Sequence, residues 1–335
     1  MTLKSIYLVL ALMLQCFIAS TQSPNHSFSA ADSVADRYHG HGLTNFRLLA
    51  RKLTLNLEGD SAKARAIYRW ICTNISNDFS FFKQVTRMKA KWGLTSPEYK
   101  EWSTKKLPVL MHHLIKKKKT ICNGYTYLFR ELAFHAGLEV KTMDGYSRTP
   151  YVNIGKEAPV VNHSWNAIRI SDSWHYIDPT WGSGYIDERG AFQFQFNPAH
   201  FLTDPAIFAK THYPIEALHP PPSLPLQDYL DSPLAFSMGT QFNLLAVSPD
   251  KYEVQLSKGQ VLTFVVKVKG EKTFEAAYLQ ITKGGDLKDK LELQEALREG
   301  DYLLSEEWTA GLRGTYVIDL IIAGMVCYRW QVLVS

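Results

Sequence analysis

The sequence predicts an α+β unit followed by a β-sandwich, and three observations carry that expectation. Helical periodicity is concentrated before residue 137, and strand-like stretches then follow one another instead of alternating with helices. A proline cluster at residues 220–225 separates this part from a second one built of strand-like segments. At 335 residues the chain exceeds a typical single domain, and 46% hydrophobic with 21% charged residues is enough to bury a core in each part.

The elements follow in order. Residues 1–23 have a short basic start at Lys4, an apolar run from Ile6 to Leu14 and small residues near Ala19, as in a cleaved signal peptide. Met13, Leu14 and Gln15 before Cys16 are not the small residues that lipidation requires, so secreted or periplasmic export without an anchor is expected. After cleavage no stretch is long and apolar enough to span a membrane. Residues 24–45, polar and rich in small side chains, read as a loose leader to a domain over 46–219. Ala62, Ala66, Ile67, Trp70 and Ile71 recur at helical spacing. Residues 83–106 are charged and lack a period, which suggests a long loop or irregular helix. Tyr125, Leu128, Phe129, Leu132 and Ala136 define a second helix opened by Cys122 and stopped at Gly137.

Strands are expected at 138–146, 162–170 and 174–177, the last two joined by a tight turn at Ser171-Asp172-Ser173. Residues 220–234 read as a proline-rich linker, and 235–335 as an immunoglobulin-like β-sandwich in which Asp286–Arg298 is a short helix or a charged excursion. Such a domain suits binding of a protein or cell-envelope partner. The net charge of +5 is too mild to imply nucleic acid. The Lys116–Lys119 run reads first as a solvated loop, with attraction to an acidic substrate or surface as the alternative.

Of the four cysteines, signal cleavage removes Cys16 and leaves Cys72, Cys122 and Cys327. Cys72 and Cys327 read as small buried hydrophobes, with a disulfide between them left open. Cys122 opens a helix, where unpaired N–H groups favour a thiolate; on that ground alone it is either a structural thiol or a nucleophile. A nucleophile needs a proton shuttle and a carboxylate to orient it. With the turn at 171–173, His163 falls opposite residue 180 or 181, and Asp178 is its diagonal neighbour on the adjacent strand. Tyr125, Trp165 and Trp181 are the aromatic candidates to contact substrate. The histidine pairs His39/His41 and His112/His113 lack further ligands at zinc spacing, and no nucleotide or EF-hand motif is present, so neither a cofactor nor a metal is expected.

Three ordered motifs resemble the transglutaminase-like superfamily and its papain-like cysteine-nucleophile fold: TICNGYTYLFRELA at 120–133, NHSWNAI at 162–168 and WHYIDPTWGSG at 174–184. The helix KARAIYRWICTNI at 63–75 is similar to the one preceding that core. HFLTDPAIFAKTHYP at 200–214 resembles the segment that follows it in the kyphoscoliosis peptidase branch. The resemblance implies Cys122 as nucleophile, His163 as base and Asp178 as its orienter. It further implies acyl transfer at an amide of a protein or peptide substrate, as a peptidase, deamidase or cross-linking enzyme. One oxyanion donor is then the Cys122 backbone N–H, with Gln84 or Trp92 as candidates for the second. The alternative is a non-catalytic scaffold of the same fold that binds a protein partner.

Overall fold

The computed structural model describes residues 28–148, 161–216, 225–298 and 300–335. The expected signal peptide and three of the four prolines at 220–225 lie outside these residues.

In the first part helices Phe46–Thr54, Asp60–Asn74 and Cys122–His135 share one core, in which Ile67, Trp70, Ile71, Leu128, Phe129 and Leu132 are fully buried. Gly137 stops the Cys122 helix in the left-handed conformation, φ +75°. The expected loose leader is corrected for its described residues. Ser29–Arg37 is a helix that buries Ala31 and Ala35 in the same core. It is clamped to the Asp60–Asn74 helix by two forked ion pairs, Arg65 to Asp32 (2.7 and 3.0 Å) and Arg69 to Asp36 (both 2.8 Å).

Of the loop and the irregular helix expected for the charged stretch, the helical reading holds: it forms two helices, Phe79–Trp92 and Pro97–Lys117, the second with Pro108 in its interior. Asp78 and Ser96 cap their N-termini, and Pro97 occupies a first-turn position where its missing N–H costs nothing. The pair buries only Phe81, Tyr99 and Leu114, so no apolar stripe marked it in the sequence. The lysine run ends the second helix and is not a loop. Lys118 is its left-handed cap, and Lys119–Thr120 pairs in parallel with Ser76–Asn77.

Five antiparallel strands back the Cys122 helix, in the order Phe201–Thr203, Ser173–Ile177, His163–Ile170, Val140–Ser147, His212–Pro214. Ser171 (φ +48°) and Asp172 (φ +65°) form the tight turn, and the register Ile170 to Ser173 and Asn166 to Ile177 is the one the turn dictates. Asn166 bonds the Thr126 carbonyl of the Cys122 helix, while Trp165 and Ala167 pack on Phe208 across the other face. Gly145, opposite His163, has no room for a Cβ, which would lie 2.1 Å from the Tyr213 carbonyl oxygen and 2.5 Å from the Trp165 ring.

The second part is a sandwich of a six-stranded and a four-stranded sheet, closed over Phe264, Val266, Leu279, Ile318, Leu320 and Trp330. Asp286–Glu292 and Gln294–Arg298 are exposed edge strands, not a helix or excursion. Residues 225–234 are packed, unlike a free linker. Helix Leu226–Asp231 buries Tyr229, and the Arg148 guanidinium donates to the Tyr229 carbonyl, the Ser232 hydroxyl and the Pro233 carbonyl. Cys72, Cys122 and Cys327 are all free thiols, Cys72 in the first core and Cys327 in the second, so they do not pair.

Candidate active site

Cys122 is the first residue of its helix, 9% exposed, with Ile121 as an N-cap that offers no side-chain acceptor. No side chain caps this helix start, while the Gly124 N–H donates to the Ile121 carbonyl at 2.8 Å. Gly124 makes the turn into this helix possible: a Cβ there would lie 1.8 Å from the Thr120 hydroxyl oxygen. The neighbour that approaches Gly124 closely is thus the chain's own preceding turn.

His163 opens its strand where the sheet ends beside that helix start. Its Nε2 lies 2.8 Å from Asp178 Oδ2, and both side chains are buried. Asp178 follows the last paired residue of its strand and caps the short helix Pro179–Ser183, its Oδ1 accepting from the backbone N–H of Thr180 (2.8 Å) and Trp181 (3.2 Å). The expectation that the His–Asp pair faces the Cys122 helix needs one correction. His163 and Asp178 share the parity of Trp165 and Tyr176, whose rings pack on Phe208, and His163 meets Cys122 at the end of the sheet.

A histidine that sequence reasoning did not single out completes the cluster. His212, fully buried, brings Nε2 to 3.2 Å from the same Asp178 Oδ2, with Nδ1 2.8 Å from the Thr211 hydroxyl. Its ring stacks on Phe208 at 4.0 Å and lies 4.7 Å from Trp181. The segment 200–214 had stood out only as a whole, because nothing local says that a strand 34 residues after Asp178 returns beside it.

The electrostatics divide the histidines. Burial disfavours an imidazolium at His163, but the Asp178 carboxylate and the Cys122 sulfur outweigh it and raise its pKa to about 10. Burial would likewise raise Asp178, yet His163 and His212 together hold it well below the usual carboxylate range. At His212 and His200 burial prevails, and both fall to about 4. Burial raises the Cys122 thiol, and His163, the Lys89 ammonium and the Ser164 backbone N–H more than reverse this, leaving it below an ordinary thiol. At Cys72 burial outweighs the Tyr68 hydroxyl, Arg65 and Arg69 and moves the thiol up, and burial likewise raises Cys327, to about 12.

His163, Asp178 and His212 hold three potential ligand atoms within 4.8 Å of one another. A cation bonded at about 2.1 Å would keep its ligands roughly 3.4 Å apart. The 2.8 Å between His163 and Asp178 suits a shared proton better.

Cys122 and His163 open onto a cleft of ≈ 430 Å³ between the two helices of residues 79–117 and the end of the sheet. Phe81, Tyr99 and Trp102 supply its aromatic walls, with Lys89, Lys106 and Asp144 as charged lining. The expected substrate contacts are corrected. Tyr125 is fully buried, donating its hydroxyl to the Ile75 carbonyl, and Trp165 is fully buried against Phe208. Trp181 is half-buried, packed on His163, His200 and His212 and not part of the cleft wall. Gln84 and Trp92 do not line the cleft either, which leaves the suggested second oxyanion donor without support.

Residues 47–179 match the model of the Transglutaminase-like superfamily, a span holding the Cys122 helix and the His163–Asp178 hairpin. Over 171 residues, 49% of this chain, the sequence is 32% identical to the Kyphoscoliosis peptidase of Homo sapiens, of which it covers 23%. Over 202 residues, 56% of the chain, it is 23% identical to Hillarin of Drosophila melanogaster, covering 22% of that protein. The chain thus spans less than a quarter of the length of these two relatives. A crystal structure of a TGase is similar over 54% of this chain and 39% of that one, at 14% identity and a TM-score of 0.28. Residues 47–179 thus carry a transglutaminase-like core match, and Kyphoscoliosis peptidases are among the relatives of this chain.

Proposed function

We propose that the chain is a cysteine-dependent acyltransferase that opens amide bonds of protein or peptide substrates. The observation that carries this reading is the 2.8 Å His163–Asp178 contact beside a helix-start cysteine whose pKa is lowered. With Nε2 committed to Asp178, Nδ1 is the His163 nitrogen left for the Cys122 sulfur. The Cys122 thiolate attacks the amide carbonyl, forming the C–S bond. The negative oxygen is stabilised by the Cys122 backbone N–H at the helix start. Collapse breaks the C–N bond, and the proton held by His163 leaves with the amine. The thioester is then resolved by a nucleophile that gives its proton back to His163. Water as that nucleophile makes the protein a peptidase or deamidase, and a lysine amine makes it a cross-linker.

The test separates these outcomes. Incubation with a glutamine-containing peptide library, with and without a dansylated amine, is read by mass spectrometry for cleavage, a 1 Da deamidation shift or amine incorporation. At least one product is expected from the parent and none from Cys122→Ala. No product from either protein would leave a non-catalytic scaffold as the better account, and equal product from both would remove Cys122 as the nucleophile. The proposal includes export, with the signal peptide cleaved near residues 19–23.

A further inference from the structure

The charge of this protein is unevenly distributed. Residues 79–119, the two helices over the cleft and the lysine run that follows them, carry 11 Lys and Arg against 2 Glu, a net +9. The whole chain is +5, so everything outside this segment sums to −4. A helix face that is merely solvated usually intersperses its lysines with acidic residues at i,i+4. Here, among the described residues, only Lys105 (to Glu101, 2.6 Å) and Lys119 (to Asp78, 3.5 Å) of the eleven pair with a carboxylate. Lys83, Lys91 and Lys118 lie over aromatic rings, and the Lys89 ammonium donates to the Val161 carbonyl at 3.3 Å.

The placement of this charge connects it to the site. Lys89 and Lys106, one from each helix, are half-buried in the wall of the cleft that ends at Cys122 and His163. Tyr99 and Trp102 lie on the same wall. Leu107 and Val109, 54% and 40% exposed, continue the apolar surface along the second helix. A cleft with low-dielectric walls concentrates the field of its flanking charges, so an anionic chain entering it gains more than it would on a flat face.

We infer that the helix pair of residues 79–117 is a docking surface for an acidic polypeptide segment. Its carboxylates meet the uncompensated lysines, and an apolar side chain enters the cleft beside the reacting residue. Charge complementarity defines the occupant, and the position of the cleft makes it a polypeptide. The groups at the end of the cleft suit an acyl carbon, which neither a polynucleotide backbone nor a phospholipid headgroup presents as an amide. This inference deepens the reading of Cys122 as the reacting group and rests on it for the orientation of the segment, while binding itself can be read without turnover.

The test is equilibrium binding to the full chain by fluorescence anisotropy. Three labelled 15-residue peptides share a central Phe-Gln and differ only in flanks of Glu, Ser or Lys. At 50 mM salt the Glu peptide is expected to bind at least about tenfold more tightly than the Ser peptide, and the gap to narrow as salt rises to 0.5 M. The double change Lys89→Glu/Lys106→Glu should erase the discrimination. Lys251→Glu/Lys258→Glu, the same charge change on exposed residues of the sandwich, should preserve it. Equal affinity for the Glu and Ser peptides overturns the inference, as does discrimination that survives the Lys89/Lys106 change. Tighter binding of oligo-dA or of phosphatidylserine vesicles than of the Glu peptide at 150 mM salt also overturns it, since the occupant is then of another class. Tight binding of the Glu peptide without turnover would sink the proposed activity and leave the docking surface standing. Turnover that ignores the flanks would do the reverse.

Discussion

Replacing Cys122 with alanine is expected to lower amide turnover by at least about 10⁴-fold while leaving the folded protein intact. The thiol opens onto the cleft and not into either core, so its loss creates no internal cavity. Cys72→Ala and Cys327→Ala are the informative comparison. Both thiols are completely buried and their pKa values are raised, so they lack the thiolate character a nucleophile needs. Those two variants should lower the melting temperature and spare turnover, the reverse of Cys122→Ala. Turnover that survives at Cys122 and disappears at Cys72 would reassign the nucleophile.

Asp178 carries the second large effect, because four donors converge on its buried carboxylate: the ring nitrogens of His163 and His212 and the backbone N–H groups of Thr180 and Trp181. Asp178→Ala leaves all four without an acceptor inside the protein and should destabilise it by about 3–5 kcal/mol, the usual cost of removing one partner of a buried charged pair. Asp178→Asn keeps the shape and one acceptor oxygen, which can serve the capping N–H groups or the histidines but not both. It should fold with a smaller loss and still drop turnover by on the order of 10⁴-fold, since His163 is no longer held in the tautomer that leaves Nδ1 for Cys122. Urea melts and initial rates of the two variants separate the effects. An Asn variant within tenfold of the parent would mean that the charge of Asp178 does not act through His163.

What the sequence disclosed and what it withheld divide along physical lines. The Cys122 helix was legible from its 3.6-residue period and its glycine stop, both local. The His163–Asp178 contact was legible because a two-residue turn fixes the register of everything the hairpin carries. His212 was not, since it reaches Asp178 by tertiary packing of a strand with no local signal. The orientation of Tyr125 and Trp165 was also hidden, because an aromatic beside a reactive residue reads alike whether it faces the cleft or the core. The helix pair of residues 79–117 and the edge strands between 286 and 298 escaped for a common reason. Each buries so little that neither a helical nor a strand period is imposed on its sequence. Ser29–Arg37 buries alanines four residues apart, a stripe too weakly apolar to stand out from a polar segment.

In the proposed chemistry Cys122 and His163 form an ion pair held by Asp178, and the pH dependence of Cys122 alkylation reads that pair. Cys122 lies below an ordinary thiol, so its thiolate forms at lower pH than that of a free cysteine, and His163 is raised to about 10, so its imidazolium persists until about that pH. Reaction of the full chain with iodoacetamide, corrected with Cys122→Ala, should therefore outpace a model thiol at pH 6–7, level off at a lower pH than that thiol does and change again near pH 10. A rate that follows the model thiol, climbing tenfold per pH unit until about pH 9, would contradict the ion pair and with it the proposed chemistry.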